Sequence, residues 1–265
     1  MSFFQKLFSS RSKGPPADGN KAIAFVDYEH WYYGFKNIFH MEPDPISWRK
    51  ELDEHYSMEE IMVFGDFSND GITDGLNKLR AISNTVISTQ QPHDRHKKDM
   101  TDFIMLDYIY RVSAERHDVD TYILFTGDGH FQSVAKYLIQ KLGKKVIVYG
   151  VTRSISNRLK DVATEVHEIP HAAEVAKDRY QMIVNNMAYV STRSHIFPSF
   201  RGTVEAVARH NDVPEEEVAT ALREMLDRGL LVQKERRVDF NRKVKVVTAD
   251  WEALIAAGLW HPNDG

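Results

Sequence analysis

Short apolar runs alternate with longer amphipathic stretches between residues 21 and 170. This alternation is the pattern of β–α–β units, in which helices connect parallel strands and cover the sheet. Strands are predicted at residues 21–27, 59–67, 85–90, 121–128 and 144–150, with a short edge strand at 164–169. The pattern therefore predicts an α/β fold with a central parallel sheet flanked by helices.

Helices are predicted between these strands. Residues 100–115 carry a broad apolar face, and residues 129–142 form a second helix that Gly143 ends. Residues 65–79 are rich in Gly, Asn and Asp, so the first half of this connection is predicted to be a loop above the sheet. Loops in that position often carry function.

The pattern changes after residue 170. Helices are predicted at 172–190 and 203–210, and a third begins near Pro214 and ends at Gly229. Two strands joined by a basic turn follow over 230–247. A chain of 265 residues accommodates two domains or one large one, and this element order is that of a winged-helix module. We predict a tail at 1–20, an α/β domain at 21–170 and a smaller, mostly α, winged-helix-like domain at 171–265.

Composition excludes several functional classes. The chain has no cysteine, which rules out disulfides, thiolate zinc sites and cysteine nucleophiles and fits a reducing, cytoplasmic location. A net charge of -4 argues against nucleic-acid binding through bulk charge, so such binding would need a local basic patch. No apolar run approaches the length of a membrane span.

The N-terminal residues allow two interpretations. Phe4, Leu7 and Phe8 would share one helical face beside basic residues, as in a weak membrane-surface or partner-docking helix. The alternative is a frayed tail followed by a linker at 14–20.

Three aspartates are candidate metal ligands because of their positions. Asp27 and Asp128 follow apolar strands, and Asp102 opens a predicted helix. Ligands of open parallel sheets bind beyond the carboxyl ends of the strands, so the three carboxylates could share one site. Such a cluster suits Mg²⁺ or Mn²⁺ and the hydrolysis of a phosphodiester by a metal-activated water. Each aspartate taken singly could instead cap a helix.

Four sequence blocks resemble, in order, the NYN domains of the PIN-like nuclease superfamily, which include LabA-like proteins. The blocks are IAFVDYEH, KKDMTDFIMLDYIY, ILFTGDGHF and GKKVIVYGVTRSISNRLKDVATEVHEI. The resemblance covers about residues 21–170. It implies a metal-dependent endoribonuclease that acts on single-stranded or structured RNA, with its Mg²⁺ or Mn²⁺ ligands at Asp27, Asp102 and Asp128.

Two positions depart from the family pattern. His30 stands where the family prefers Asn, and His130 stands where it usually has a carboxylate. Imidazole ligates Mn²⁺ or Zn²⁺ but is a poor Mg²⁺ ligand, so metal choice would shift or activity would weaken. His130 could equally be an ordinary polar residue in the first turn of its helix. The alternative function is therefore a catalytically degenerate NYN domain that acts as an RNA-binding or regulatory adaptor.

Other polar residues are additional candidates. Asp66 follows the second strand and could supply a further carboxylate or cap a loop. Lys98 could hold a phosphate, Asp99 neighbours Asp102, and Asp107 is expected to form an ion pair or to face solvent. A predicted helix N-terminus presents polar groups that favour an anion, from Ser154, Ser156 and Asn157.

An aromatic run follows Asp27 and consists of Tyr28, Trp31, Tyr32, Tyr33 and Phe35. Bases of single-stranded RNA stack on such rings. Helices that pack on a sheet also need aromatic residues, so at least half of the run is expected in the core.

The predicted C-terminal hairpin supplies the local basic patch. Its basic residues are Arg228, Lys234, Arg236, Arg237, Arg242, Lys243 and Lys245, opposed by Glu235 and Asp239. In a winged helix, such a hairpin would hold a phosphate backbone without reading sequence. Three glutamates, Glu215 to Glu217, crowd the start of the third helix and would repel phosphate there. The module could instead contact DNA, a protein partner or a second copy of the chain.

Overall fold

The computed structural model describes residues 20–68, 70–73, 75–89, 100–193, 195–239 and 242–261, without the side chains of residues 70, 238, 239 and 242. The described residues form two compact units. One consists of residues 20–38 and 42–169, and the other of residues 39–41 and those from 170 onward. The N-terminal tail, Lys98 and Asp99 lie outside the described residues.

The first unit contains six strands with helices between them. The strands are β1 (Lys21–Asp27), β2 (Ser57–Gly65), β3 (Thr85–Ser88), β4 (Thr121–Phe125), β5 (Lys145–Val151) and β6 (Glu165–Ile169). The α-helices are α1 (Tyr28–Gly34), α2 (Pro45–His55), α3 (Asp70–Thr73), α4 (Leu76–Ile82), α5 (Met100–Glu115), α6 (Gln132–Gln140) and α7 (Asn157–Lys160). A π-helical turn (Phe35–Phe39) follows α1, and a 3₁₀ turn (Gly129–Phe131) precedes α6.

All six strands form one sheet in the order β3-β2-β1-β4-β5-β6, and every pair is parallel. The chain moves outward in one direction from β1 to β3 and in the other from β4 to β6. The connections after β1 and β4 therefore diverge and leave a crevice beyond their carboxyl ends, which is where open α/β sheets bind ligands. The predicted fold class is confirmed.

Both faces of the sheet are covered, which explains the nearly continuous apolar strands. Alternate side chains point to opposite faces. On one face, Phe25 and Tyr122 pack in the core that α5 and α6 supply. On the other, Trp31 stacks on Phe125 at 4.2 Å and contacts Trp48 of α2.

The strand predictions were correct in number and differ in their ends. The strand predicted at 59–67 begins at Ser57, because residues too polar to extend the apolar run still pair with β1. It ends at Gly65, and the strand predicted at 121–128 ends at Phe125. The aspartates after both strands lie in turns and accept local hydrogen bonds there. The helix predicted at 129–142 is a 3₁₀ turn followed by α6, and Gly143 has a φ of 65°.

The second unit has its own apolar core. Its elements are α8 (Ala172–Ser191), α9 (Phe200–Asn211), α10 (Glu215–Asp227), β7 (Leu231–Asp239), β8 (Arg242–Ala249) and α11 (Trp251–Ala256). Helix α9 begins before the predicted residue 203, because the Ser199 hydroxyl accepts a hydrogen bond from the Gly202 amide and caps the helix. Three helices and an antiparallel hairpin occur in the predicted order. Among the described residues, no helix is both long and apolar enough to cross a membrane.

Candidate active site

A cavity of about 510 Å³ opens beyond the carboxyl ends of β1 and β4. It is lined by Asp27, Glu29, His30, Tyr33, Gly34, Asn37, Ile38, Thr101, Asp102, Gly127, Asp128 and Ser154. All of these residues belong to the first unit. The cavity thus brings together three aspartates that are remote from one another in the sequence.

Asp27 forms the buried part of this site. It ends β1 and caps α1, accepting a 3.0 Å hydrogen bond from the His30 amide. Only 8% of the residue is exposed. Burial, together with the negative charges of Asp102, Glu29 and Asp128, raises its pKa to about 7 against the lowering effect of the His30 amide. The negative charges of Asp102 and Asp128 therefore disfavour the charged form of Asp27.

Asp102 and Asp128 reach the cavity from two different connections. Asp102 lies in the first turn of α5. Asp128 follows β4 and caps the 3₁₀ turn, accepting a 2.8 Å hydrogen bond from the His130 amide. Asp128 thus caps the 3₁₀ turn and lines the cavity at the same time, so the two roles predicted for it do not exclude each other.

Among the described residues, the group whose ligand atoms could hold one metal ion consists of Asp102, Asp128 and His130, all within 4.8 Å of one another. The His130 Nδ1 atom lies 2.9 Å from Asp128 Oδ1, and its side chain is 80% exposed. Asp27 is outside this group but lines the same cavity. Carboxylate oxygens with one imidazole form a donor set that fits a divalent cation, Mn²⁺ better than Mg²⁺.

His30 is half-buried beside the carboxylates. Burial lowers its pKa to about 4, although the charge of Asp128 opposes this effect. Its Nε2 atom lies 3.1 Å from the Ser154 hydroxyl, which donates its only proton to the Val151 carbonyl at 2.7 Å. The imidazole Nε2–H is therefore the donor to Ser154. His30 enters the site as a neutral group that holds the turn after β5.

Sequence reasoning missed three polar residues that line the cavity. Glu29 lies on α1, Asn37 lies in the turn after α1, and Thr101 lies on α5. Glu29 accepts hydrogen bonds from the Asp66 amide at 2.6 Å and the Thr101 hydroxyl at 3.4 Å. The signal in the sequence was helical spacing. Glu29, Tyr33 and Asn37 recur every four residues after Asp27, as on one helical face.

Most of the remaining candidates that the structure describes lie outside the cavity lining. The Asp66 carboxylate accepts hydrogen bonds from the Ser68 amide and hydroxyl, as a loop cap does. Asp107 forms the expected ion pair, with Arg111 at 2.7 Å. Ser156 lies at the start of α7, and an added Cβ on Gly129 would be 2.8 Å from its hydroxyl. In the aromatic run, Tyr28, Trp31 and Phe35 are buried, whereas Tyr33 lines the cavity.

Several basic residues of the C-terminal unit already have partners. Lys243 lies 3.3 Å from Glu235, and the Arg236 guanidinium lies over the Phe197 ring at 4.9 Å. At the start of α10, Glu217 binds the buried Arg179. Of these contacts, only the Lys243–Glu235 pair offsets a positive charge of the hairpin, and Arg236 keeps its charge.

Comparison with known proteins identifies the first unit. The family model of the NYN domain matches residues 21–170. A solved protein of unknown function from Vibrio parahaemolyticus is 24% identical, with a TM-score of 0.51, over 58% of this chain and 96% of its own. That likeness shows the fold alone, and no curated protein matches the chain. Since the family model spans more than half of the sequence, the chain belongs to the NYN domain family.

Proposed function

We propose that the protein is a divalent-metal-dependent endoribonuclease. The NYN domain indicates a nuclease-type family of the PIN-like class, whose members typically bind RNA and generally use divalent metals. The observation that supports this function best is the convergence of Asp27, Asp102 and Asp128 on one cavity.

The electrostatics of the cavity favour a cation. A buried carboxylate whose pKa is raised partly by neighbouring carboxylates is stabilised in its charged form when a cation lies between them. Asp102, Asp128 and His130 would hold the ion, and the buried Asp27, which lines the same cavity as Asp102 and Asp128, would add a further carboxylate. When bound, Mg²⁺ or Mn²⁺ would neutralise charge on the phosphate and lower the pKa of a coordinated water.

The chain's own residues would complete the site. Water oxygen would form a bond to phosphorus and lose a proton, and the bond to the leaving ribose oxygen would break as that oxygen takes up a proton, so that the protons balance. Glu29 holds the Asp66 amide and so fixes the turn after β2 beside the cavity. His30, neutral and bonded to Ser154, adds no positive charge that would compete with the cation.

The test is cleavage of labelled single-stranded RNA by the full chain. We expect cleavage with Mn²⁺ or Mg²⁺, none with EDTA, and none for Asp128→Asn in a protein that remains folded by circular dichroism. Asp53→Asn is the matched control, because Asp53 is an exposed residue of α2 in an ion pair with Arg49, away from the cavity lining. Equal cleavage by wild type and Asp128→Asn would contradict the proposal.

His130 favours a second candidate function. An imidazole in place of a carboxylate weakens the affinity of the site for Mg²⁺, so the domain would act as an RNA-binding or regulatory adaptor without cleavage. RNA that is bound but intact with each of Mg²⁺, Mn²⁺ and Zn²⁺ would favour this function over the nuclease.

For residues 171–265 we propose a separate winged-helix-like domain that holds nucleic acid or a partner through its hairpin. Arg236, Arg237, Arg242 and Lys243 lie on or next to the turn between β7 and β8. Cations in this arrangement contact phosphates without reading bases. Nucleic acid is the ligand to test first, because its affinity should depend on salt.

A further inference from the structure

The solvent-facing side of α5 is unusually aromatic. Phe103 and Tyr110 are seven residues apart on this side. Phe103 is 63% exposed and Tyr110 is 43% exposed. The other face of the helix is buried in the core through Met105, Ile109 and Val112. An amphipathic helix normally presents charged or polar residues to water. Core packing therefore does not account for Phe103 and Tyr110.

Helix α6 extends this aromatic surface. Tyr137 is 36% exposed, and its ring centroid lies 5.3 Å from that of Tyr110. Lys136 and Lys141 are exposed beside it, and residues 132–141 include no acidic side chain. We call Phe103, Tyr110, Tyr137, Lys136 and Lys141 the α5–α6 surface. It combines flat rings with positive charge.

This surface begins at the candidate active site. Asp102 in the first turn of α5 and His130 just before α6 both belong to the group that could hold an ion. Each helix precedes or follows β4 of a parallel sheet, so both run from the carboxyl edge of the sheet toward its amino edge. Phe103 adjoins Asp102 in the chain, and the Tyr110–Tyr137 pair lies further along the same two helices.

We propose that the α5–α6 surface binds the single-stranded part of an RNA that flanks the scissile phosphate. Its bases would stack on Phe103 and on the Tyr110–Tyr137 pair, while Lys136 and Lys141 contact phosphates. Seven helical residues span about 10.5 Å, or about three steps at the roughly 3.4 Å rise of one strand of a base-stacked duplex. The inference rests on the proposed function only for the position of the scissile phosphate.

The charges on this surface favour a polyanion over a second copy of the chain. A symmetric contact between two copies brings the same patch of each together. Lys136 and Lys141 of both copies would then approach one another. Residues 132–141 offer no acidic partner, and Asp107 on the exposed side of α5 is already paired with Arg111. Phosphates would instead be attracted to the same lysines.

The experiment measures binding of a labelled oligouridylate of about ten nucleotides by fluorescence anisotropy in EDTA, where no metal-dependent cleavage occurs. Phe103→Ala and Tyr110→Ala should each weaken binding about tenfold, whereas Phe103→Trp should retain it. Ile46→Ala is the matched control and should bind as wild type, because Ile46 is a 44% exposed residue of α2, on the other face of the sheet.

A second oligonucleotide isolates stacking from charge. With abasic residues at every position, wild type and Phe103→Ala should bind equally, since no base remains to stack. Unchanged affinity of both alanine variants for oligouridylate would overturn the proposal. So would a dimeric wild type that becomes monomeric in these variants without loss of RNA affinity. If the protein binds RNA through this surface but never cleaves it, the inference holds and the proposed nuclease function fails. If the protein cleaves RNA but both alanine variants bind oligouridylate as wild type does, the inference fails and the nuclease function holds.

Discussion

The Nε2 atom of His30 lies 3.1 Å from the Ser154 hydroxyl oxygen, and both residues pack against Gly127. A Cβ atom on Gly127 would lie 2.4 Å from His30 Cε1 and 2.4 Å from the Ser154 carbonyl oxygen. Glycine is therefore required by close approach of the backbone to its neighbours. The contact links α1 to the turn after β5, beside the residue that precedes Asp128.

Gly127→Ala should consequently lower both stability and cleavage. Overpacking of a buried position costs about 1–3 kcal/mol, and the displaced turn would move the Asp128 carboxylate. Chemical denaturation and the cleavage rate measure the two effects. Gly202→Ala is the control and should leave stability nearly unchanged, because an added Cβ there meets only the Ser199 hydroxyl. Wild-type stability of Gly127→Ala would contradict the packing argument.

The pKa of Asp27 predicts a pH dependence in the absence of metal. Because its folded pKa is about 7, above the ordinary value of 3.8, the folded state retains a proton that the unfolded state has lost. The Asp27 contribution to the free energy of unfolding should therefore fall as pH rises from about 4 to about 7, by at most about 1.4 kcal/mol per pH unit. Above that range it should be constant.

Asp27→Asn isolates this contribution. His30 acts in the opposite direction, since its pKa of about 4 means that stability is lost as pH falls from 6.5 toward that value. The difference between wild type and Asp27→Asn removes the His30 effect. We expect Asp27→Asn to be the more stable protein at about pH 8 in EDTA, as measured by urea denaturation. Parallel pH profiles of the two proteins would rule out a raised pKa for Asp27.

Two substitutions of Asp128 separate its cap from its chemistry. Asp128→Asn keeps an oxygen that accepts the His130 amide proton, so its stability should be close to that of wild type. Asp128→Ala removes the cap and should cost about 1 kcal/mol. Both should abolish cleavage, because a cation loses a charged ligand. An active Asp128→Asn with an inactive, unfolded Asp128→Ala would mean that the residue is only structural.

Replacing His130 tests the choice of metal. His130→Asp supplies an oxygen ligand at the position where the family usually has a carboxylate, and Mg²⁺ prefers oxygen. The ratio of the cleavage rate in Mg²⁺ to that in Mn²⁺ should rise several-fold. His130→Ala is the comparison and should not raise this ratio. The same ratio in all three proteins would remove His130 from the metal site.

The hairpin of the C-terminal unit has its own prediction. Replacement of Arg236, Arg237 and Lys243 by Ala should weaken RNA binding and reduce the slope of log affinity against log salt by about 1 for each phosphate that the protein no longer neutralises. Arg201→Ala is a suitable control, because Arg201 is an 89% exposed cation of the same unit, on α9. Unchanged affinity and slope would assign the hairpin to contacts with protein.

The strand pattern could be read from the sequence because a parallel sheet covered on both faces requires apolar side chains at nearly every strand position. The ends of β2 and β4 could not be read in this way. Residues 57–60 are mostly polar, yet backbone pairing with β1 extends β2 through them. Thr126 and Gly127 continue the small or apolar run of β4 but already belong to the turn that presents Asp128.

The sequence by itself determined the parallel α/β sheet, the second unit and the three aspartates at strand or helix ends, because periodicity and end signals depend on near neighbours along the chain. Only the tertiary structure decided that Asp102 approaches Asp128 and His130, that Asp27 is buried, and that Glu29 and Thr101 line the same cavity as the three aspartates. Strand order sets these distances, since β1 and β4 are adjacent in the sheet although β2 and β3 lie between them in the chain. The pKa of Asp27 likewise depends on burial and on charges that are remote in sequence.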